Sequence, residues 1–327
     1  MSTRAPAKTR KPRAARPAAP ASRRAGAAAK TLRTGRKGSA VVARPQADAA
    51  HDAERVIAIS GSQSGLGLAI RQRLDAAGVR TIGIDLPGKG ADVEADLSRA
   101  AGREQAVQGV LERCDGRLDG LVANAGVDAK DAKLTFGVNF HGVVDLLEGL
   151  RPALAAGAPS AAVVTVSHAV MVTPGVRSAA ADALLDGRDG RAALLAGRTP
   201  SAAYAVSKLA VARWIRAHAA NAEWAGAGIS LNGVCPGAIV TPLLERDLAD
   251  KLKGPLIRAM PKPLGEIAEP EDLAGIFEFL LSRDARFVVG QLLVSDGGVE
   301  SQWRQADWPQ PWDISLARFL FKLFAQR

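Results

Sequence analysis

The chain has 327 residues, 47% of them hydrophobic, and a formal net charge of +10 from 43 Lys+Arg against 33 Asp+Glu. That composition supplies a substantial core and excludes collagen-like, disulfide-scaffold and wholly disordered classes. Two cysteines, Cys114 and Cys235, make no disulfide framework and point to a reducing, cytoplasmic setting, and no apolar run approaches the ~20 residues that span a bilayer.

The excess charge is confined to the start of the chain. Residues 1–50 hold thirteen bases, from Arg4 to Arg44, and a single acid, Asp48. They carry +12 and leave the remainder at −2. Residues 1–54 are rich in Ala, Pro and Arg, so they bury too little apolar surface to offset ordering entropy and read as a disordered basic tail. Three readings of that tail stay open: contact with an anionic surface such as nucleic acid or acidic lipid, an Arg-rich transit segment, or a solvated extension, including one created by a start assigned too far upstream. The −2 remainder gives no sign of specific nucleic-acid binding.

From Arg55 the pattern changes. Val56–Ser60 is a short apolar run of the kind found in a strand buried on both faces. A Gly-rich turn leads into Leu66, Ala69, Ile70, Leu74 and Ala77 at helical spacing, closed by Gly78. Val79–Asp85 is a second strand, Arg99–Cys114 a helix and Leu118–Ala123 a strand. A helix around Val138–Leu150 precedes the strand Ala161–Ser167. The helix Ser201–Trp224, the strand Ile229–Val234, the helix Glu271–Leu281 and the strand Val288–Ser295 complete the series. Such alternation needs crossover connections, which predicts one α/β domain over residues 55–300, doubly wound, with a mainly parallel seven-stranded sheet and helices on both faces. Residues 169–200 interrupt it as an Ala/Gly/Leu-rich insertion with two short helices, Ser178–Leu185 and Gly190–Ala196. Residues 301–327 hold Trp303, Trp308 and Trp312 and end in an amphipathic helix candidate, Ile314–Phe324. Packing on its own domain or on a partner subunit is the favoured reading of that helix, and attachment to a membrane surface the alternative.

Three segments carry chemistry. Ser60-Gly61-Ser62-Gln63-Ser64-Gly65-Leu66-Gly67 lies at a strand-to-helix junction, where glycines let the backbone approach a pyrophosphate at a helix N-terminus. Asp85 ends the second strand about 20 residues on, where a carboxylate accepts hydrogen bonds from ribose hydroxyls and repels a 2′-phosphate. That favours NAD, with Lys89 close behind leaving NADP as the alternative. Tyr204 and Lys208 stand at i and i+4 near the start of a helix and so share a face. An ammonium so placed lowers the pKa of a phenol that is otherwise a poor acid/base at neutral pH. Tyr204 is the chain's single tyrosine.

The order of these segments, with Asp96-Leu97, Asn124-Ala125-Gly126, Val138-Asn139-Phe140, Ser167, Cys235-Pro236-Gly237, Thr241 and Ser295-Asp296-Gly297-Gly298, resembles the short-chain dehydrogenase/reductase family over residues 55–298. Within it the chain looks like the branch of 3α-hydroxysteroid dehydrogenase/carbonyl reductase and coniferyl-alcohol dehydrogenases. The resemblance implies an NAD-dependent oxidoreductase with Tyr204 as general acid/base, Lys208 tuning it and holding the nicotinamide ribose, Ser167 orienting the reacting oxygen, and Asn139 keeping a relay water. It also implies cofactor contacts from Gly61, Ser62, Gln63, Ser64, Gly65, Leu66, Gly67, Asp85, Asp96, Leu97, Asn124, Ala125, Gly126, Pro236, Gly237, Ile239 and Thr241, and no metal. Ser167 stands 37 residues before Tyr204, a wider gap than is usual in the family, and the insertion accounts for it. An insertion there should cover the outer face of the Tyr204 helix, so a homodimer through another surface is expected. His168, where a small residue is commoner, either faces the substrate or packs at the strand end. The expected substrate is a small hydrophobic alcohol or ketone, in a pocket shaped by the insertion, residues 241–260 and the Trp-rich tail. A coniferyl-type aromatic alcohol dehydrogenase and a non-catalytic dinucleotide sensor are the alternatives.

Overall fold

Hydrophobic runs of Val, Ile and Ala form the parallel strands of the computed structural model, which describes residues 55–197 and 201–305 together with 314, 315, 317, 318 and 321. The basic tail and most of the C-terminal helix candidate, with Trp308 and Trp312, lie outside the described residues. Seven strands, β1 Val56–Ser60, β2 Arg80–Asp85, β3 Val93–Glu94, β4 Gly120–Ala123, β5 Ser160–Thr165, β6 Ile229–Pro236 and β7 Leu292–Ser295, make one sheet in the order β3-β2-β1-β4-β5-β6-β7. Every pairing is parallel. The expected doubly wound domain is present. The two-residue β3, too short for a periodicity signal, is an addition to the strands named from the sequence.

Helices cover both faces. On one, α1 (Gly65–Ala76) and α11 (Pro270–Leu281) bury Ile70, Leu74, Leu273 and Phe277 against the sheet. On the other, α2 (Ala100–Leu111), α4 (Gly142–Ala156) and α8 (Ala202–His218) bury Val110, Leu146, Leu150, Val211 and Ile215. Side chains that fill both faces in this way make the sheet a central layer, as parallel strands require.

The helix expected around Val138–Leu150 is more elaborate. A short α3 (Ala132–Phe136) runs through a π-helical turn, Gly137–His141, into α4. Such a wider turn inserts a residue into the helical register and often sits beside a functional site. The insertion folds as α5 (Ala169–Val172), α6 (Ser178–Leu185) and α7 (Asp189–Ala196); α6 and α7 lie close to the two helices read from the sequence, and α5 is an addition. Ala180, Ala181, Ala183, Leu184 and Ala192 are buried, and Arg213 on α8 binds the Ser178 carbonyl and the Asp182 carboxylate. The insertion therefore lies along α8. Among the described residues no helix is long and apolar enough to cross a membrane.

Candidate active site

The chain reverses its order of travel between β1 and β4, and there the C-terminal ends of the strands open a crevice. A cavity of about 800 Å³ occupies it. Of the residues singled out in the sequence, Gly61, Ser64, Gly65, Leu66, Asp85, Asp96, Leu97, Asn124, Ala125, Gly126, Ser167, Tyr204, Lys208, Pro236, Gly237, Ile239 and Thr241 line this one space. Ser62, Gln63, Gly67 and Asn139 do not; they stand behind the wall and hold it.

The Gly-rich turn is built for close approach. Gly61 and Gly65 adopt positive φ, 68° and 50°, a region that L side chains avoid. A Cβ on Gly67 would lie 1.9 Å from the Gly61 carbonyl oxygen, so only glycine fits. Ser62 is buried in the turn, and the backbone N–H of Gln63 donates to the Asp85 carboxylate at 2.9 Å. The N–H of Leu86 donates to its other oxygen at 2.8 Å. Each carboxylate oxygen keeps a second lone pair, so this group fits a ribose diol, and the bare turn at the head of α1 fits a pyrophosphate. Asp96 accepts from the Ser98 N–H, and hydrogen bonding from Ser98 holds its carboxyl below the ordinary range. Leu97 is buried beside it.

The strand ends are tied together. Ser60 Oγ accepts from the N–H groups of Asn124 and Ala125, and the Asn124 side chain donates to the Gly61 carbonyl and accepts from Thr165 Oγ1. Asn139, delivered by the π-helical turn, exchanges two 2.8 Å bonds with the Val127 backbone and donates to Ser207 Oγ, which itself donates to the Tyr204 carbonyl. Its amide therefore fixes the Asn124–Val127 loop against α8. A Cβ on Gly126 would stand 3.4 Å from both Asn139 Oδ1 and Lys208 Nζ. Thr241 caps α9 (Pro242–Ala249) through the Leu244 N–H, and its methyl packs where a Gly65 side chain would stand.

Lys208 is 2% exposed; its Nζ donates to the Thr165 carbonyl at 2.7 Å and lies 5.9 Å from the Tyr204 ring centroid. Burial pulls its pKa down to about 8. Burial also pushes Tyr204 up to about 12, with the carboxylates of Asp128 and Asp247 adding to the rise and the Ser167 hydroxyl opposing it. The expected lowering of the phenol is thus not what the protein alone produces, because loss of solvation is the largest effect at both groups. Ser167 Oγ accepts from the Ala169 N–H. His168 lines the cavity and also pairs with Asp296, Nδ1 to Oδ2 at 3.1 Å.

Sequence reasoning missed a second polar group in the same cavity. Asp128, in the loop after β4, and Asp247, on α9, both bind Lys253 of α10 (Lys253–Ala259). Asp128 follows the Asn124–Val127 loop directly, but no motif spacing joins it to positions 247 and 253; only the fold does. The lining also carries the apolar side chains of Val172, Pro174, Leu256, Ile257, Met260 and Trp303. The insertion, residues 241–260 and Trp303 of the Trp-rich tail all contribute to it, as the sequence suggested.

Comparison with known proteins places this geometry. Residues 55–180 match the family model described as short chain dehydrogenase, and residues 192–300 the one described as Enoyl-(Acyl carrier protein) reductase. A 3-alpha-hydroxysteroid dehydrogenase/carbonyl reductase of Comamonas testosteroni is 39% identical over 76% of this chain and 98% of its own length. The cis-4-hydroxycyclohexanecarboxylate dehydrogenase of Sinomonas cyclohexanicum is 31% identical over 75% of the chain and 96% of its own. The crystal structure of the 3-alpha-hydroxysteroid dehydrogenase of Pseudomonas sp. B-0831, complexed with NADH, superimposes with a TM-score of 0.72 at 43% identity, covering 77% of this chain and 99% of that one.

Proposed function

The chain belongs to the short-chain dehydrogenase/reductase family, and from that premise we propose that it is an NAD-dependent oxidoreductase acting on a hydrophobic secondary or aromatic alcohol and its carbonyl. One observation carries the reading: Ser167, Tyr204 and Lys208 meet in the same cavity as the Gly61–Gly67 turn and Asp85, and six further apolar side chains line that cavity. When bound, the nicotinamide supplies the two-electron chemistry. The chain's own groups do the rest. The Gly61–Gly67 backbone and Asp85 hold the dinucleotide, and Asp96, Leu97, Asn124 and Gly126 shape its walls. Ser167 holds the reacting oxygen. In oxidation Tyr204 takes the proton of the substrate hydroxyl; in reduction it returns a proton to the carbonyl oxygen. Lys208, fixed by the Thr165 carbonyl, places a cation beside the phenol, which favours its ionised form. Asn139 acts by keeping the Val127 backbone and α8 in register, and a relay water belongs beside Lys208 on this reading.

The relatives named above act on steroid and cyclohexane alcohols, and the six apolar lining side chains suit a rigid ring system of that kind. An NAD-coupled screen of steroid, aromatic and short aliphatic alcohols tests this. Turnover of ring alcohols is expected; turnover of short polar alcohols alone would reject the substrate class, and no turnover of any would reject the activity.

Cofactor choice gives a sharper expectation. Asp85→Ser removes the carboxylate that favours the ribose diol and repels a 2′-phosphate, while Lys89 remains in the same cavity wall. The NAD over NADP ratio of kcat/KM should fall by about tenfold or more, the scale of one charge-assisted hydrogen bond. An unchanged ratio would count against the ribose assignment.

The assembly we propose is a homodimer through a surface other than the outer side of α8. Support comes from α6 and α7, whose buried alanines and Arg213 anchor lie along that helix. The two free, buried cysteines suit a reducing cytoplasm.

A further inference from the structure

The segment carrying α9 and α10 closes one side of the cavity, and it is fastened from within. Lys253 Nζ lies 2.6 Å from Asp128 Oδ2 and 3.1 Å from Asp247 Oδ1. The side chains of Asp128, Asp247 and Lys253 are 6%, 16% and 16% exposed, so this is not a surface ion pair. Arg246 on α9 donates to the Asp128 carbonyl at 3.2 Å. The Ser201 hydroxyl donates to the same Asp128 carboxylate. Ser201 caps α8 three residues before Tyr204, with φ of 60°, a conformation rare outside glycine and held only where the surroundings enforce it. One ammonium thus connects α10, α9, the loop after β4 and the start of the Tyr204 helix.

We propose that Lys253 is a positioning residue for the proton transfer: it holds Asp128 and Asp247 in the cavity that Tyr204 lines and offsets their charge, so that the tyrosine ionises more readily with Lys253 in place. The proposal rests on the oxidoreductase reading and adds to it a link between closure of the cavity and its chemistry. Both carboxylates oppose ionisation of Tyr204. Burial works against the Lys253 ammonium, yet Asp128 and Asp247 outweigh it and hold its pKa above the ordinary value, so the charge is retained at neutral pH. Without it, the two buried carboxylates lose the one ammonium that pairs with both of them. The other groups near Tyr204 do not take over that pairing. Lys208 donates to the Thr165 carbonyl, Ser167 is neutral, His168 is paired with Asp296, and burial pushes the Cys235 thiol of β6 up to about 12, which keeps it neutral.

The single tyrosine makes the test direct, because tyrosinate absorbance of the NAD-bound protein reports Tyr204 alone. Lys253→Met should raise the midpoint of that titration, and of the pH profile of kcat/KM for alcohol oxidation, by about one pH unit, the scale of one uncompensated charge at a partly buried site. Lys253→Arg should keep both midpoints near the wild-type values. Asp128→Asn/Lys253→Met removes one charge of each sign and should bring both back, which also covers the case in which the single variant fails to fold. The proposal is overturned if Lys253→Met leaves the tyrosine midpoint where it was, or if the double variant stays as displaced as the single one. Should no alcohol be turned over by the wild-type protein, the oxidoreductase reading falls, while the tyrosine titration still decides the role of Lys253.

Discussion

Tyr204→Phe abolishes turnover and leaves NADH binding intact: that is the result the site predicts. The phenol lines the cavity together with Ser167 and Lys208, and on the proposed reading its oxygen is the group that gives and takes the substrate proton. A positioned acid/base contributes typically 10²–10⁴-fold, so kcat should fall by about that factor. The ring itself stays, and the dinucleotide cradle is built from the Gly61–Gly67 turn and Asp85 at the other end of the crevice. The dissociation constant for NADH, read by fluorescence, should therefore move less than about threefold, well under 1 kcal/mol. A variant that keeps more than a few per cent of wild-type kcat would remove Tyr204 from the mechanism.

Lys208→Met should lose turnover and yet raise thermal stability. The ammonium is 2% exposed, has the Thr165 carbonyl as its hydrogen-bond acceptor, and is held by burial at a pKa of about 8, below the ordinary 10.5. The sign follows from comparing the two states. Below pH 8 both folded and unfolded chains carry the charge, and the folded one bears the full cost of its lost solvation. Between about 8 and 10.5 the folded amine is neutral and the unfolded one charged, so stability rises with pH; above 10.5 the penalty is gone. At pH 7 the penalty is on the order of 3 kcal/mol as an upper figure, one pKa unit being worth about 1.4 kcal/mol. Methionine fills the same volume without the charge, although it leaves the Thr165 carbonyl without that donor, which returns about 1–2 kcal/mol. A rise in Tm of about 2–4 °C per net kcal/mol is expected at pH 7, shrinking toward pH 10. A lower Tm at pH 7 would show that the Thr165 bond outweighs the burial of charge.

The Tyr204–Lys208 pair is legible in the sequence, since a four-residue spacing on a helix is visible without coordinates, whereas the stability effect of Lys208→Met is not. The strand-to-helix turn and Asp85 were equally plain, because apolar runs and glycine punctuation report local backbone demands. What the sequence does not carry is balance between opposed effects. The same Tyr–Lys pair suggests a lowered phenol, and only the depth of burial reveals that loss of solvation dominates both groups. The bonds of the Asn139 side chain to the Val127 backbone are set by the π-helical turn and are invisible to periodicity. Likewise Asp128, Asp247 and Lys253 are ordinary charges along the chain and become a cluster only when the loop after β4 meets α9 and α10.

The turn at Gly137–His141 also bears on how this chain tolerates change in length. Losing one residue there would let α3 and α4 merge into a single regular helix, with every backbone bond still made. Such a turn absorbs its surplus residue as a bulge, so α3 and α4 would keep close to their present alignment. The residues of the turn itself would be redistributed, and Asn139 would be displaced from Val127. The segment thus ties one functional contact to one surplus residue: deletion there would cost the contact, while the helix that carries it remains whole.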